Sequence, residues 1–500
     1  MRRVMPTTDA ASLKARVARS MFWLVWSRGA LQVLTFAATL VIARLLVPAD
    51  YGIMALAGFW TGTVSMLAEM GLGAAIIQFR DLTRREIDTC FWMTIALAII
   101  LYAAVCLAAP LIGHWFDVPR LADVLPVLAL VLPLTACRVV PDSLLRKRLA
   151  LNRVSQAEVI GSVAALPVML GCALVGLGVW ALVIGALVGP TARTISTFAF
   201  SPWYPGFRVG GERIKDVIRF SLTTLGVRVL WALREWGNTL VVGKITGQVT
   251  IVGLYSMAEE LALLPGSKIS SVVNMLSAPV MAELQTNISA MRAAFLRAFR
   301  LTAAIALPTT AGLALIADEL VAALLGAKWA ATVPILRLLC VYAAVRAIDV
   351  LLPPVLFARR RERFLFWYCI ALLTLVPTAA VLGALWDGAA GTVILSTPMY
   401  CAVMTIMVKE VVAELNGRYS ELWSAMWPIV VATAAMSAVV LLLRQVALAG
   451  RSDSLWIGLT LSSVSGTLTY VAVLFAIGSP VISEGAEVVG WILHGHRARV

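Results

Sequence analysis

Apolar runs of about 20 residues, separated by short polar stretches, recur from residue 21 nearly to the end of the chain. A run of that length crosses the hydrocarbon core of a bilayer as an α-helix. The pattern predicts fourteen spans, at roughly 21–43, 53–77, 89–112, 121–140, 155–176, 179–200, 217–242, 251–276, 300–317, 331–355, 364–386, 389–411, 425–443 and 455–478. The first run is longer than the ~7–15-residue apolar core of a signal peptide, and no small-residue cleavage site follows it, so it reads as a retained span. The fold class is therefore an all-α polytopic membrane protein.

Lys and Arg sort by side of these spans. The segments 1–20, 78–88, 141–154, 201–216, 277–300, 356–363, 412–424 and 479–500, with Arg219 and Lys409 at span ends, carry about 27 of the 41 basic residues. The opposite loops carry about six: Arg44, Arg120, Lys244, Lys328, Arg444 and Arg451. By the positive-inside rule the richer side is cytoplasmic, and so are both termini. The outer loops are too short to fold alone as a domain.

The two outer turns after spans 1 and 7 resemble each other. Arg44 to Gly52 and Lys244 to Tyr255 each run from a basic residue through a polar or Gly/Pro stretch to Gly and Tyr at the next span. Spans 1–6 and 7–12 then form parallel repeats, because six is even and both halves start on the same side. Such repeats place a substrate site between them. The organisation expected is a basic N-terminal segment (1–20), an N-lobe (21–200), a linker (201–216), a C-lobe (217–411), two further helices (425–478) and a cytoplasmic tail (479–500).

Polar residues inside the spans fall in stripes. Span 1 carries Arg28, Gln32, Thr35 and Thr39, and span 7 carries Thr224, Arg228, Trp231, Glu235 and Asn238, each at helical spacing on one face, with Arg234 beside the second stripe. Span 2 offers Thr61, Ser65 and Glu69. Span 8 offers Glu259, Glu260 and Lys268, with Pro265-Gly266 predicting a hinge at mid-length. Span 10 offers Arg337, Arg346 and Asp349, the last two close enough in sequence to pair with each other. A polar stripe also serves as helix–helix glue. An arginine in each stripe tips the reading toward a cavity lining, since a cation at bilayer depth costs about 2.5–3.5 kcal/mol on insertion scales. Eight basic side chains fall within spans, Arg138 and Arg193 among them. Arginine's planar fork binds phosphate oxygens in pairs and stays charged when desolvated, which favours an anionic, phosphate-bearing cargo over a cationic drug. Glu235 would neutralise Arg228 or Arg234 until cargo arrives.

Composition agrees. The 500 residues are 61% hydrophobic with a mean hydropathy of +0.91, which excludes a water-soluble protein. The net charge of +14 follows from loop orientation, so no nucleic-acid partner is expected. Seven cysteines lie in or at the ends of apolar segments without paired spacing, and the three histidines form no metal constellation. No P-loop, nucleophile elbow or metal-spaced His/Glu cluster occurs, so neither an enzyme nor a cofactor is expected.

Three stretches carry a family resemblance. Ala43-Arg44-Leu45-Leu46-Val47-Pro48-Ala49-Asp50-Tyr51-Gly52-Ile53-Met54-Ala55 resembles the first outer turn of Wzx-type polysaccharide flippases. Gly71 to Gln78, with Leu82-Thr83 just after, and Leu324 to Trp329 followed by Val333 to Leu336, resemble the end of span 2 and the turn between spans 9 and 10. The resemblance covers roughly 20–420 and is nearest to exporters of colanic-acid-like and succinoglycan-like intermediates. It implies the multidrug/oligosaccharidyl-lipid/polysaccharide exporter superfamily, two lobes around a central cavity, and flipping of an undecaprenyl-pyrophosphate-linked oligosaccharide across the bacterial inner membrane. By similarity to lipid II flippases, Arg28, Arg228 and Arg234 become the candidates for the pyrophosphate. Coupling to a sodium or proton gradient is implied too, though no sodium-site pattern is matched here. Membrane lipid, a polysaccharide polymerase and a chain-length regulator are the expected partners. A lipid II or multidrug exporter of the same fold is the alternative, and a membrane polymerase or glycosyltransferase the more distant one.

Overall fold

The computed structural model describes residues 35–494 apart from 70, 80, 208 and 447–454. The chain divides into two compact units, Met1–Trp236 and Gly237–Val500. Among the described residues every regular element is a helix.

The first unit contains α1 (Thr35–Leu45), α2 (Pro48–Glu69), α3 (Leu72–Gln78), α4 (Arg84–Trp115), α5 (Pro119–Leu128), α6 (Val131–Lys147), α7 (Leu151–Leu174), α8 (Val179–Phe200) and the first part of α9 (Ile214–Thr246). Local chemistry marks their starts. The Asp50 carboxylate accepts from the Val47 amide at 3.2 Å at the head of α2. Thr83 and Glu86 close a reciprocal capping box on α4. Pro119 sits in the first turn of α5, where its missing N–H costs nothing. Two predicted spans are broken. Gly71, at φ +67°, separates α2 from α3, and a turn at Ala129-Leu130, right-handed in φ/ψ but bonded i to i−3, separates α5 from α6. Periodicity alone does not reveal such breaks, because the apolar face continues across them. The Leu72, Ile76, Phe91, Val140 and Trp203 side chains form a core at the α3 end of this unit, with Val217 of α9 packed into it.

The segment between α8 and α9 folds back onto the start of α4. Trp92 Nε1 donates to the Gly206 carbonyl at 2.8 Å, the Gly210 amide donates to Thr89 Oγ1 at 2.8 Å, and the Arg213 amide donates to Glu86 Oε1 at 3.0 Å. A Cβ at Gly211 would overlap Glu86, so only glycine lets the strap lie this close.

The second unit continues α9 through α10 (Val249–Glu283), α11 (Ile288–Leu315), α12 (Ala317–Leu324), a 3-10 turn at Ala327–Trp329, α13 (Thr332–Asp349), α14 (Leu352–Ala358), α15 (Glu362–Glu414), α16 (Tyr419–Val446), α17 (Leu455–Ala476) and α18 (Pro480–His494). The long α15 is two limbs. Asp387 (φ −146°) and Gly388 (φ +54°) turn the chain back between them, where the sequence pattern ends span 11 and begins span 12. The limbs meet at Gly383 and Gly391, each so close to the other's backbone that a Cβ would overlap it.

Nine segments among the described residues are long and apolar enough to cross a membrane, and Glu362–Glu414 supplies two crossings. Helices α9, α10 and α13 coincide with predicted spans but carry more charge. These criteria do not fix the total at fourteen. Outward-facing surfaces are apolar, Leu107, Leu111, Ile195, Leu385 and Leu468 being exposed, as lipid contact requires. In the second unit Trp367, Trp423 and Trp427 are exposed near one set of helix ends and Trp386 and Trp456 near the other, the pattern of interfacial aromatic belts. Ion pairs tie the same two ends. Arg359 and Arg361 hold Glu414, and Arg300 holds Glu484 of α18. At the opposite ends, Arg337 and Arg444 hold Asp318. Arg337 therefore has a local partner, 19 residues away in sequence, that its own helical stripe did not show.

Candidate functional site

A cavity of about 410 Å³ opens in the first unit between the end of α2, α3 and α6. Its wall on α6 is a stripe, Thr135, Arg138, Asp142 and Arg146, whose steps of three and four put them on one face. Glu69, the last residue of α2, faces them across the cavity. Gly73 allows α3 to approach, since a Cβ there would lie 2.9 Å from Ser143 Oγ. Arg146 Nε donates to Asp142 Oδ2 at 2.7 Å, and the Ser65 and Thr135 hydroxyls lie 3.4 Å apart. Arg138 Nε is buried without a hydrogen-bond partner. Behind this face Arg193 of α8 pairs with Glu158 of α7 at 3.6 Å. Glu69 was a site candidate from sequence, Ser65 shared its stripe, and Arg138 and Arg193 were noted as cations within spans, but the stripe on α6 was not read. The signal was present, because Thr135-x-x-Arg138-x-x-x-Asp142-x-x-x-Arg146 is the same kind of stripe as those in spans 1 and 7.

The second unit holds a buried carboxylate. Asp349, 2% exposed near the end of α13, accepts from the Tyr400 hydroxyl at 2.7 Å and from the Tyr368 hydroxyl at 3.1 Å. Tyr342 packs edge-on against Tyr400 with ring centroids 5.2 Å apart, and the Arg346 guanidinium lies 5.8 Å from the Tyr342 ring centre. On α9 and α10, Thr239 Oγ1 donates to Glu259 at 3.3 Å, and Asn238 lies beside the Tyr255 hydroxyl. Asn238, Arg346 and Asp349 thus all belong to the polar interior of this unit.

The remaining candidates divide simply. Thr35 is half-buried on α1, and its carbonyl accepts from Thr39 at 3.0 Å. Arg28 and Gln32 lie outside the described residues. Arg228, Arg234 and Glu235 lie on α9 and Lys268 on α10, but their side chains are outside the described set. Helix α10 continues through Pro265 and Gly266, where Ala347 of α13 would stand 3.5 Å from a Cβ on Gly266. Among the described residues no group of three or more His, Cys, Asp or Glu is placed to hold a metal ion.

Comparison with known proteins gives a consistent result. Residues 41–334 match a family model described as polysaccharide biosynthesis protein. The teichuronic acid biosynthesis protein TuaB of Bacillus subtilis is 25% identical over 334 residues, covering 64% of this chain and 68% of its own. The lipopolysaccharide biosynthesis protein WzxC of Escherichia coli is 24% identical over 402 residues, covering 77% of this chain and 79% of its own. The lipid II flippase MurJ in its inward closed conformation superposes with a TM-score of 0.73 at 13% identity, over 92% of this chain and 100% of MurJ. An inward-facing MATE multidrug transporter gives 0.62 at 17% identity, over 76% of this chain and 96% of its own. At those identities the structures establish the fold, that of MurJ and the MATE transporters.

Proposed function

The chain belongs to the polysaccharide biosynthesis protein family, and from that membership we propose that it is a flippase, carrying a lipid-linked oligosaccharide across the bacterial inner membrane for surface polysaccharide assembly. The observation that carries the reading is the family match over more than half the chain together with a polytopic transporter fold. The fold alone serves lipid II and drug transport in its two structural neighbours, so the family match decides between them.

The mechanism follows from solvation. The substrate has a long isoprenoid tail, a pyrophosphate and an oligosaccharide head. The tail stays in lipid, while the head cannot enter hydrocarbon without replacing its water. Arg28, Arg228 and Arg234 supply guanidinium forks for the pyrophosphate, and Gln32, Thr35 and Asn238 supply hydrogen bonds to the head. Glu235 competes for the arginines so that cargo is released. Alternating exposure comes from movement of one repeat relative to the other, with Pro265-Gly266 as the bending point. The basic loops 78–88, 141–154 and 356–363 face the cytoplasm, as do both termini. Outward transfer of an anion is electrically downhill, by ~2.3 kcal/mol per charge per 100 mV. Coupling to a sodium or proton gradient completes the cycle. A polymerase and a chain-length regulator act on the product outside.

Deletion of the gene tests this. Lipid-linked oligosaccharide should accumulate in the cytoplasmic leaflet while surface polysaccharide is lost, and the intact chain should restore both. Unchanged export in the deletion strain would end the reading.

A further inference from the structure

The cavity between α2, α3 and α6 has a charge balance that distinguishes it from the arginine stripes of α9 and the first span. Two guanidiniums, Arg138 and Arg146, face two carboxylates, Glu69 and Asp142. We propose that this cavity is a subsite for a sugar ring of the oligosaccharide head, a polyhydroxylated and uncharged group, and not for its phosphates. The proposal rests on the flippase reading above and assigns a part of the substrate to a place in the first unit.

Two physical arguments converge. A sugar's neighbouring hydroxyls each donate and accept, so its complement is a set of alternating donors and acceptors. Carboxylates only accept, guanidiniums only donate, and the Thr135 and Ser143 hydroxyls, whose protons go to backbone carbonyls of α6, accept. Along α6 these groups alternate, Thr135, Arg138, Asp142, Arg146, at the ~5–6 Å spacing of helical i, i+3 and i, i+4 neighbours. A pyrophosphate would instead meet Glu69 and Asp142 as like charges in the same enclosure, a repulsion that selects against it.

The second is room. A volume of 410 Å³ lies within the ~300–1,000 Å³ of small-molecule sites. Gly71, Gly73 and Ala74 complete the lining on the α3 side, with Gly73 packed close against Ser143. The described lining holds no aromatic ring for a sugar to stack on, so binding is weak, as a carrier that must let go requires. Arg138 stands nine residues before the Lys147 end of α6, about 14 Å at ~1.5 Å per residue. That end borders the proposed cytoplasmic loops, the side from which the head group enters.

Saturation-transfer NMR on the full chain in lipid nanodiscs tests the assignment. The probe is the free repeat-unit oligosaccharide, cleaved from its lipid carrier by mild acid. Ring-proton signals should appear with the intact protein, survive an excess of inorganic pyrophosphate, and weaken severalfold in Asp142→Asn and in Thr135→Val. Thr135→Val keeps the side-chain shape and guards against a folding artefact, as does matched thermal unfolding of all samples. Equal signals in the intact protein and both variants would overturn the subsite. So would loss of signal on adding pyrophosphate, which would make it a phosphate site. The deletion strain separates the two readings. If the intact chain restores surface polysaccharide and the NMR signals ignore the substitutions, only the subsite falls.

Discussion

Replacing Tyr400 with Phe isolates one hydrogen bond at the centre of the second unit. The Tyr400 ring is 1% exposed and packs against Tyr342, and Phe keeps that contact. What is lost is the hydroxyl that donates to Asp349 Oδ2 at 2.7 Å. That length is at the centre of the range for a well-formed hydroxyl-to-oxygen bond. Leaving a buried acceptor without its donor costs ~1–3 kcal/mol, and Asp349, 2% exposed, has little access to replacement solvent. At ~2.1 cal/mol/K of unfolding entropy per residue the 500-residue chain shifts by about 1 °C per kcal/mol, so thermal unfolding of the detergent-solubilised protein should fall by about 1–3 °C. Tyr368→Phe should cost less, because its bond to Oδ1 is 3.1 Å, beyond the usual range for hydroxyl donors. Asp349→Ala should cost more than either, since it strands two buried hydroxyls at once. Differential scanning fluorimetry on the four proteins gives the order directly. A Tyr400→Phe variant as stable as the parent, or less damaged than Tyr368→Phe, would refute the reasoning.

Leu149 is exposed and held at φ +57° in the turn between α6 and α7, a conformation that costs a non-glycine residue ~1–2 kcal/mol, so Leu149→Gly should raise the unfolding temperature. Gly211→Ala should lower it by a loss of about 1–2 kcal/mol, because the new Cβ displaces Glu86 from both its capping box and the Arg213 amide. Arg28→Lys should retain some export and Arg28→Ala none, read as surface polysaccharide in a complemented deletion strain at matched protein levels, since lysine keeps the charge without the paired fork. A single cysteine at residue 360 in a cysteine-free background should react with a membrane-impermeant thiol reagent only after the cells are opened, whereas one at 328 should react in spheroplasts.

Apolar run length was enough to read the helical membrane architecture, and Asp387-Gly388 marked a turn that the structure places between two limbs of α15. What escaped was anything decided by neighbours distant in sequence. The Gly71 break is invisible to periodicity because Leu72, Ala75 and Ile76 continue the apolar pattern beyond it. Arg337 looked like an unexplained buried cation until folding brought Asp318 beside it. Arg138 was noticed as a cation in a span, but its importance depends on Glu69, a residue of another helix, and on the cavity the two line together. Residue faces are a property of one helix and are legible. Pairings are a property of two.

The hairpin in α15 also bears on biogenesis. Only Asp387 and Gly388 separate limbs that touch through Gly383 and Gly391. With so little chain between them, the first limb has no slack to settle across the bilayer while the second waits in water. The pair should therefore leave the translocon as a single preassembled wedge. A bulky residue at 383 or 391 would be felt first during synthesis, as failed insertion and proteolysis, before any effect on transport could be measured.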